Sequence, residues 1–162
     1  MTNEVVQRRL RRFETRCGEL GLVATHQRRI IYRVLAQSDR HPTPEAVYRG
    51  VKRHIPAISL ATVYKNIKTF LRLGLIQERV PHAGSLRLDA NLDRHHHLVC
   101  LRCCSVVDFY NPRWDTISAG VPRPGNYRIL RYQVEAWGLC PACQKEPPGP
   151  GGKRRTHHGK SG

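Results

Sequence analysis

Long apolar runs are missing from this 162-residue chain; none approaches the roughly 18–20 residues that a membrane-spanning helix needs. Nor does the arginine-rich start, residues 1–13, contain the apolar stretch of a secretory signal peptide. Glu4 and Glu14 argue against a transit peptide there. The chain is therefore expected in the cytoplasm, a reducing setting in which its six cysteines read as metal ligands before disulfides. Acidic residues are scarce as well: 12 Asp and Glu stand against 28 Lys and Arg, a formal charge of +16. A chain this basic is expected to meet a polyanion, and nucleic acid suits the pattern better than a membrane surface or an acidic protein. The Pro-, Gly- and Lys/Arg-rich residues 146–162 read as a disordered basic tail. With Lys145 that tail carries only +4 of the charge, so +12 belongs to the rest of the chain.

What is present is a run of helix signals followed by short strands. Val5, Val6, Leu10, Phe13, Cys17 and Leu20 recur on one side of a helix over residues 4–20. Thr25 is a capping residue for a second helix reaching about Ser38. In His41-Pro42-Thr43-Pro44-Glu45, Thr43 caps and Pro44 takes the first helical position of a third, to about His54. Ser59 caps a fourth, with Leu60, Val63, Ile67, Phe70 and Leu71 as its apolar set, and Leu73-Gly74 stops it. Strands at 75–80 and 85–89 then flank Pro81-His82-Ala83-Gly84, a hairpin turn. Helix, helix, helix and a two-stranded wing make a winged helix-turn-helix pattern, with a generic helical domain as the alternative. Beyond residue 90 short strand-like runs at 98–101, 106–109 and 127–137 flank a helix at about 112–120.

Two clusters carry metal-ligand chemistry. Cys100-Leu-Arg-Cys103 and Cys140-Pro-Ala-Cys143 offer four thiolates, a donor set for tetrahedral, closed and therefore structural zinc. Cys140-Pro-Ala-Cys143 also has the form of a dithiol redox pair, but the prolines and glycine at 147–150 leave no room for the helix that such a pair uses. The second cluster is Asp89, His95, His96, His97 and Asp108. On a strand His95 and His97 share one side and His96 takes the other, so two imidazoles and two carboxylates make a mixed site for iron or manganese. Histidines of the surface that bind metal only adventitiously are the alternative.

Taken in order, His41-Pro42-Thr43, Ser59-Leu-Ala-Thr62-Val-Tyr64-Lys-Asn66, His95-His-His97-Leu-Val-Cys100-Leu-Arg-Cys103, Val107-Asp108-Phe109 and Cys140-Pro-Ala-Cys143 resemble the ferric-uptake-regulator (Fur) family over about residues 5–144. The resemblance implies an α+β protein: a winged helix-turn-helix DNA-binding domain over residues 1–90, then a small α/β dimerisation and metal-sensing domain with structural zinc over 91–145. It implies a homodimeric repressor on an inverted-repeat DNA operator rather than an enzyme. The ligands so implied are Cys100, Cys103, Cys140 and Cys143 for zinc, and His41, Asp89, His95, His97 and Asp108 for the regulatory ion. The residues so implied at DNA are Arg28, Ser59, Thr62, Tyr64, Lys65 and Asn66, with Lys68 and Arg72 as phosphate contacts; Val23 stands where many members carry a minor-groove lysine.

Aspartate at both 89 and 108 resembles the peroxide-sensing (PerR-like) branch, where iron-sensing members tend to have glutamate after the second strand. Arg94 and Tyr132 stand where iron sensors often carry histidines of a further site. The branch implies iron(II)-catalysed oxidation of His41 or His95 by hydrogen peroxide and release of DNA, with manganese(II) supporting repression without that chemistry. An iron(II)-responsive repressor is the alternative, and a zinc-responsive one stands behind it. Cys104 occupies a place where the family usually has glycine; it either strains that turn or supplies a spare thiol. A zinc hydrolase, a dithiol oxidoreductase and a metal-independent RNA-binding module are competing classes, each at odds with a closed four-sulfur site beside an intact His-x-His.

Overall fold

Three of the first four helices begin on the caps the sequence predicts. In the computed structural model, which describes residues 2–79, 86–115, 125 and 134–145, α1 spans Asn3–Glu19, α2 His26–Ala36, α3 Pro44–Lys52 and α4 Leu60–Arg72. The hydroxyls of Thr25, Thr43 and Ser59 accept from the backbone N–H groups of Arg28 (3.4 Å), Ala46 (3.2 Å) and Thr62 (3.1 Å). Each satisfies one of the amides a helix start leaves unpaired, a contribution of about 1 kcal/mol. Thr2 precedes α1 without such a bond. At the end of α4, Gly74 has φ +65°, which lets the Leu75 N–H turn back onto the Phe70 carbonyl at 2.9 Å.

The helices close over one apolar cluster. Phe13 of α1 stacks on Tyr32 of α2 at 4.1 Å between ring centroids, and Phe70 of α4 meets Phe13 edge-on at 5.2 Å. Val47 and Val51 of α3 are fully buried beside them. Each such side chain is worth roughly 1.5–3 kcal/mol of burial. At Gly50, in α3, a Cβ would lie 2.7 Å from Cγ1 of Val34, so α2 and α3 approach closely where no side chain intervenes. Leu20 and Leu60, expected in the core, are 38% and 45% exposed, because each sits at the end of its helix rather than over the cluster.

The wing is shorter than the apolar pattern suggests. Strands β1 (Gln77–Arg79) and β2 (Arg87–Asp89) pair antiparallel, Gln77 opposite Asp89, while Leu75 and Ile76 turn into the helical core. Leu88 and Ala90 join the same core, and the Leu88 N–H donates to the Pro42 carbonyl, so β2 is tied to the segment before α3. The turn at Pro81–Gly84 lies outside the described residues, as do 116–120 of the expected helix, 127–133 of the last strand and the tail 146–162.

A second sheet follows in the order β4-β3-β5. Strand β3 (His96–Cys100) starts two residues earlier than the apolar pattern indicates, because the histidine run pairs antiparallel with β4 (Val106–Phe109), His97 opposite Asp108. Strand β5 (Glu135–Gly138) runs parallel to β3, and short helices α5 (Pro112–Asp115) and α6 (Pro141–Lys145) lie beside them. No described helix is long and apolar enough to cross a membrane.

Candidate metal centres

Alternation along β3 divides the three histidines. His96 packs between Phe109 and Trp114, at 5.4 and 5.7 Å between centroids, while the side chains of His95 and His97 converge with Nε2 atoms 2.9 Å apart. Onto that pair the fold brings Asp89 from the end of β2, Asp108 from β4 and His41 from the connection between α2 and α3. Asp89 Oδ2 lies 3.5, 3.2 and 3.6 Å from the Nε2 atoms of His41, His95 and His97. Asp108 Oδ1 lies 3.0, 3.5 and 3.6 Å from the same three. The five residues sought in the sequence are thus in one place, and His41, Asp89, His95 and His97 are all buried.

The directions of these groups matter as much as their distances. His41 Nε2 and Asp108 Oδ1 are 3.0 Å apart and buried, yet neither makes an aligned hydrogen bond. Side chains that face a common centre, instead of each other, produce that combination. Ligands about 2.1 Å from one ion and at right angles would be about 3.0 Å apart, close to what is seen. The far nitrogens are fixed as well: Nδ1 of His41 donates to the Val106 carbonyl (3.3 Å) and Nδ1 of His95 to the Asp93 carbonyl (2.7 Å). A carbonyl only accepts, so the neutral rings carry their proton on Nδ1 and turn a lone pair on Nε2 inward.

The electrostatics agree. Burial works against a proton on His41, but the carboxylates of Asp108 and Asp89 outweigh it and lift its pKa to about 9. Burial likewise opposes ionisation of Asp89, yet the three imidazoles hold its carboxyl well below the usual range, and Asp108 is lowered too. His95 is raised, while burial and the neighbouring His95 push His97 down. The cluster therefore favours a positive charge at its centre, a proton or a divalent ion.

The cysteine cluster is built differently. Cys100 ends β3, Cys140 follows β5, and Cys100 stands opposite Gly138 in the sheet register. The four sulfurs of Cys100, Cys103, Cys140 and Cys143 lie within 4.8 Å of one another, and Cys103 and Cys140 are 3.8 Å apart. Sulfurs about 2.3 Å from a tetrahedral ion would be about 3.8 Å apart, so the set fits zinc. Burial opposes a thiolate at Cys100, but backbone N–H groups, including that of Cys140 at 3.3 Å, bring its pKa down to about 6. Hydrogen bonding to Cys140 pushes Cys143 up to about 12, the expected result of crowding thiols without a cation. One sequence argument needs correction: α6 begins directly behind Cys140, so a short helix does follow that cysteine despite the prolines beyond. What speaks against a redox pair is instead the gathering of all four sulfurs.

On α4, the side chain of Ser59 is occupied in capping and lies 2.8 Å from the Thr62 hydroxyl. The Tyr64 hydroxyl donates to Glu45, joining α4 to α3, and Lys65 is exposed. Arg28 donates to Asn66 Oδ1 at 3.2 Å and to the Val23 carbonyl at 2.6 Å. Sequence reasoning missed Asn91, Asp93 and Tyr110 around the histidine site and Ser105 beside Cys103. A signal for the first existed: Asn91 Oδ1 accepts from the Asp93 N–H (3.3 Å), the turn an Asn-x-Asp run favours.

Known proteins resemble this chain in sequence and in fold. The sequence model of the ferric uptake regulator family matches residues 19–137. A peroxide-responsive repressor PerR of Staphylococcus epidermidis is 32% identical over 126 residues, 78% of this chain and 84% of that one. The crystal structure of the Campylobacter jejuni peroxide stress regulator superposes with a TM-score of 0.59 at 28% identity, over 78% of this chain and 93% of that one. The Helicobacter pylori ferric uptake regulator Fur, described with three functional metal-binding sites, superposes at 0.70 over 88% and 96%; at 20% identity it speaks for the fold alone. With a family match over most of its length and a relative of this identity and coverage, the chain belongs to the ferric uptake regulator family.

Proposed function

We propose that this chain is a metal-dependent transcriptional repressor that binds an inverted-repeat DNA operator as a homodimer in the cytoplasm and responds to hydrogen peroxide. The observation that carries the reading is the position of His41. It belongs to the helical part of the chain, yet its imidazole meets Asp89, His95, His97 and Asp108 of the strands that follow. An ion held by these five would tie the helical part (residues 1–90) to the second part (91–145). In a dimer that tie sets the spacing of two α4 helices, which must match half-sites about one helical turn of DNA, or a multiple, apart.

Iron(II) bound there would supply the reduction of hydrogen peroxide, and manganese(II) would hold the same shape without it. The chain's own residues do the rest. Asp89 and Asp108 offset the ion's charge, and the bonded Nδ1 atoms hold His41 and His95 within reach as the groups oxidised. One oxygen atom of the peroxide would enter a ring C–H bond of either histidine while the other left as water; the altered ring would be a poorer donor, the tie would fail and DNA would be released. Cys100, Cys103, Cys140 and Cys143 would hold structural zinc. At DNA, Tyr64 and Lys65 with Thr62 and Asn66 would face the bases, and Arg28 and Ser59 the backbone. Leu98, Val107 and Trp137 around a hollow of about 310 Å³ on the second sheet would serve the dimer contact. Resemblance to repressors named for peroxide response supports the branch.

The test is operator-fragment binding by the zinc-loaded dimer carrying iron(II) or manganese(II), before and after stoichiometric peroxide, with mass spectrometry on the same samples. The iron form alone should release DNA and gain one oxygen on a peptide containing His41 or His95. If both forms keep their grip and neither histidine is oxidised, the peroxide reading fails and iron(II)-responsive repression takes its place.

A further inference from the structure

Asn91 reaches both carboxylates of the cluster. It is 1% exposed. Its backbone N–H donates to Asp89 Oδ1 at 2.7 Å, and its side-chain amide donates to Asp108 Oδ2 at 2.7 Å and to the Tyr110 hydroxyl at 2.8 Å. The amide oxygen accepts from the Asp93 N–H, which fixes the orientation of the side chain. Each bond to an aspartate engages one oxygen of its carboxylate. Those left over, Asp89 Oδ2 and Asp108 Oδ1, are the ones 3.0–3.6 Å from the Nε2 atoms.

We infer that Asn91 is a positioning residue that holds both aspartates to a single donor oxygen each, and so sets how many donors the site offers. The inference rests on reading the cluster as a metal site. A free carboxylate has two oxygens and can give a metal one or both. Oδ1 of Asp89 and Oδ2 of Asp108 each keep a lone pair, but charge-assisted hydrogen bonds from Asn91 hold them on its side, and turning either one inward would stretch or bend a good bond in a buried place. Three imidazole nitrogens and two single carboxylate oxygens make five donors, an odd number that leaves room for one small exogenous molecule. The two bonds do not respond alike to mutation: the one to Asp89 comes from the backbone and survives any substitution except proline, whereas the one to Asp108 leaves with the side chain. The prediction is therefore specific to Asp108.

The experiment uses the full-length, zinc-containing protein, with manganese(II) affinity measured by electron paramagnetic resonance and cobalt(II) as a visible-absorption probe, whose band weakens when a sixth donor enters. In Asn91→Leu, which fills the same space without a donor, manganese(II) should bind about 10–100-fold more weakly. The cobalt band should fall as the second oxygen of Asp108 turns in, with zinc content unchanged. Asn91→Ala removes the donor without adding a charge and repeats the test should the leucine variant fail to fold; it should lose affinity likewise. Unchanged affinity in a folded variant overturns the inference. So does weakened affinity with an unchanged cobalt band, since Asn91 would then steady the site without setting the donor count. If the unmodified protein takes up neither ion, the metal-site reading itself falls, an outcome distinct from either of these.

Discussion

The cysteine and histidine clusters differ in what they connect. The four cysteines come from the ends of two strands that are already neighbours, β3 and β5, from the turn past β3 and from α6. Thirty-six residues separate the two pairs in sequence, but sheet hydrogen bonds join their strands, so an ion there fastens a local structure. The histidine cluster draws on the α2–α3 connection, the end of β2, and β3 and β4. An ion there acts between the helical part and the second sheet, which the exposed pair Arg12–Asp93 at 2.6 Å and the His41–Val106 bond at 3.3 Å also join. One site is suited to hold, the other to signal, and occupancy of the two should have separable consequences.

The largest effect is expected at the holding site. Cys100→Ser removes the sulfur that the backbone of Cys140 supports, and one lost thiolate opens a closed four-sulfur set. Structural zinc in small domains contributes about 10–16 kcal/mol of apparent binding energy, which is folding energy. The variant should lose its zinc, and the second sheet should lose its cooperative unfolding while the helical core melts separately. Calorimetry with zinc analysis checks this, and a single unchanged transition at full zinc content would contradict it.

At the signalling site the expected effect is confined to the second ion. His97 is fully buried and central to the cluster, so His97→Ala should weaken manganese(II) binding by at least about 100-fold, since it removes a ligand outright rather than a group behind one. Zinc content should stay at one per chain. DNA binding should become indifferent to manganese(II) over the range where the unmodified protein responds. Loss of zinc together with manganese would show that the two sites are not separable.

Much of this was legible in the sequence, and the reasons differ by element. Thr25, Thr43 and Ser59 announce helix starts because capping is a local bond, made within three residues of the cap. The cysteine pairs are legible because two knuckles specify one coordination chemistry. Spacing alone could give only part of the histidine cluster, since alternation puts His95 and His97 on one side but says nothing of His41, some fifty residues earlier; that ligand came from family resemblance. Of Asn91 only the local Asn-x-Asp turn was legible, because its role depends on the end of one sheet meeting a strand of the other, which no periodicity encodes. Leu20 and Leu60 were misjudged for a related reason: periodicity assigns a face to a residue but not the place where the neighbouring helix stops.

The smallest effect separates the sites by their backbones. Among the described residues two non-glycines have positive φ, one at each site: His41 at +46° and Cys104 at +55°. At His41 the conformation is coupled to function, because only a side chain there can reach Asp89 and Asp108. At Cys104 no such coupling is visible. Its N–H donates to the Cys100 carbonyl at 2.9 Å, a backbone bond that glycine would make equally well. A left-handed non-glycine residue costs on the order of 1 kcal/mol, partly offset in a Cys104→Gly variant by the greater freedom of glycine in the unfolded chain. The variant should therefore gain somewhat less than about 1 kcal/mol, a rise of a few degrees at most in the melting of the zinc form. Zinc content and peroxide response should not change. A variant that melts lower, or that retains zinc less well against a chelator, would show that the Cys104 thiol takes part in holding the ion, and the turn would then be strained for the same reason as His41.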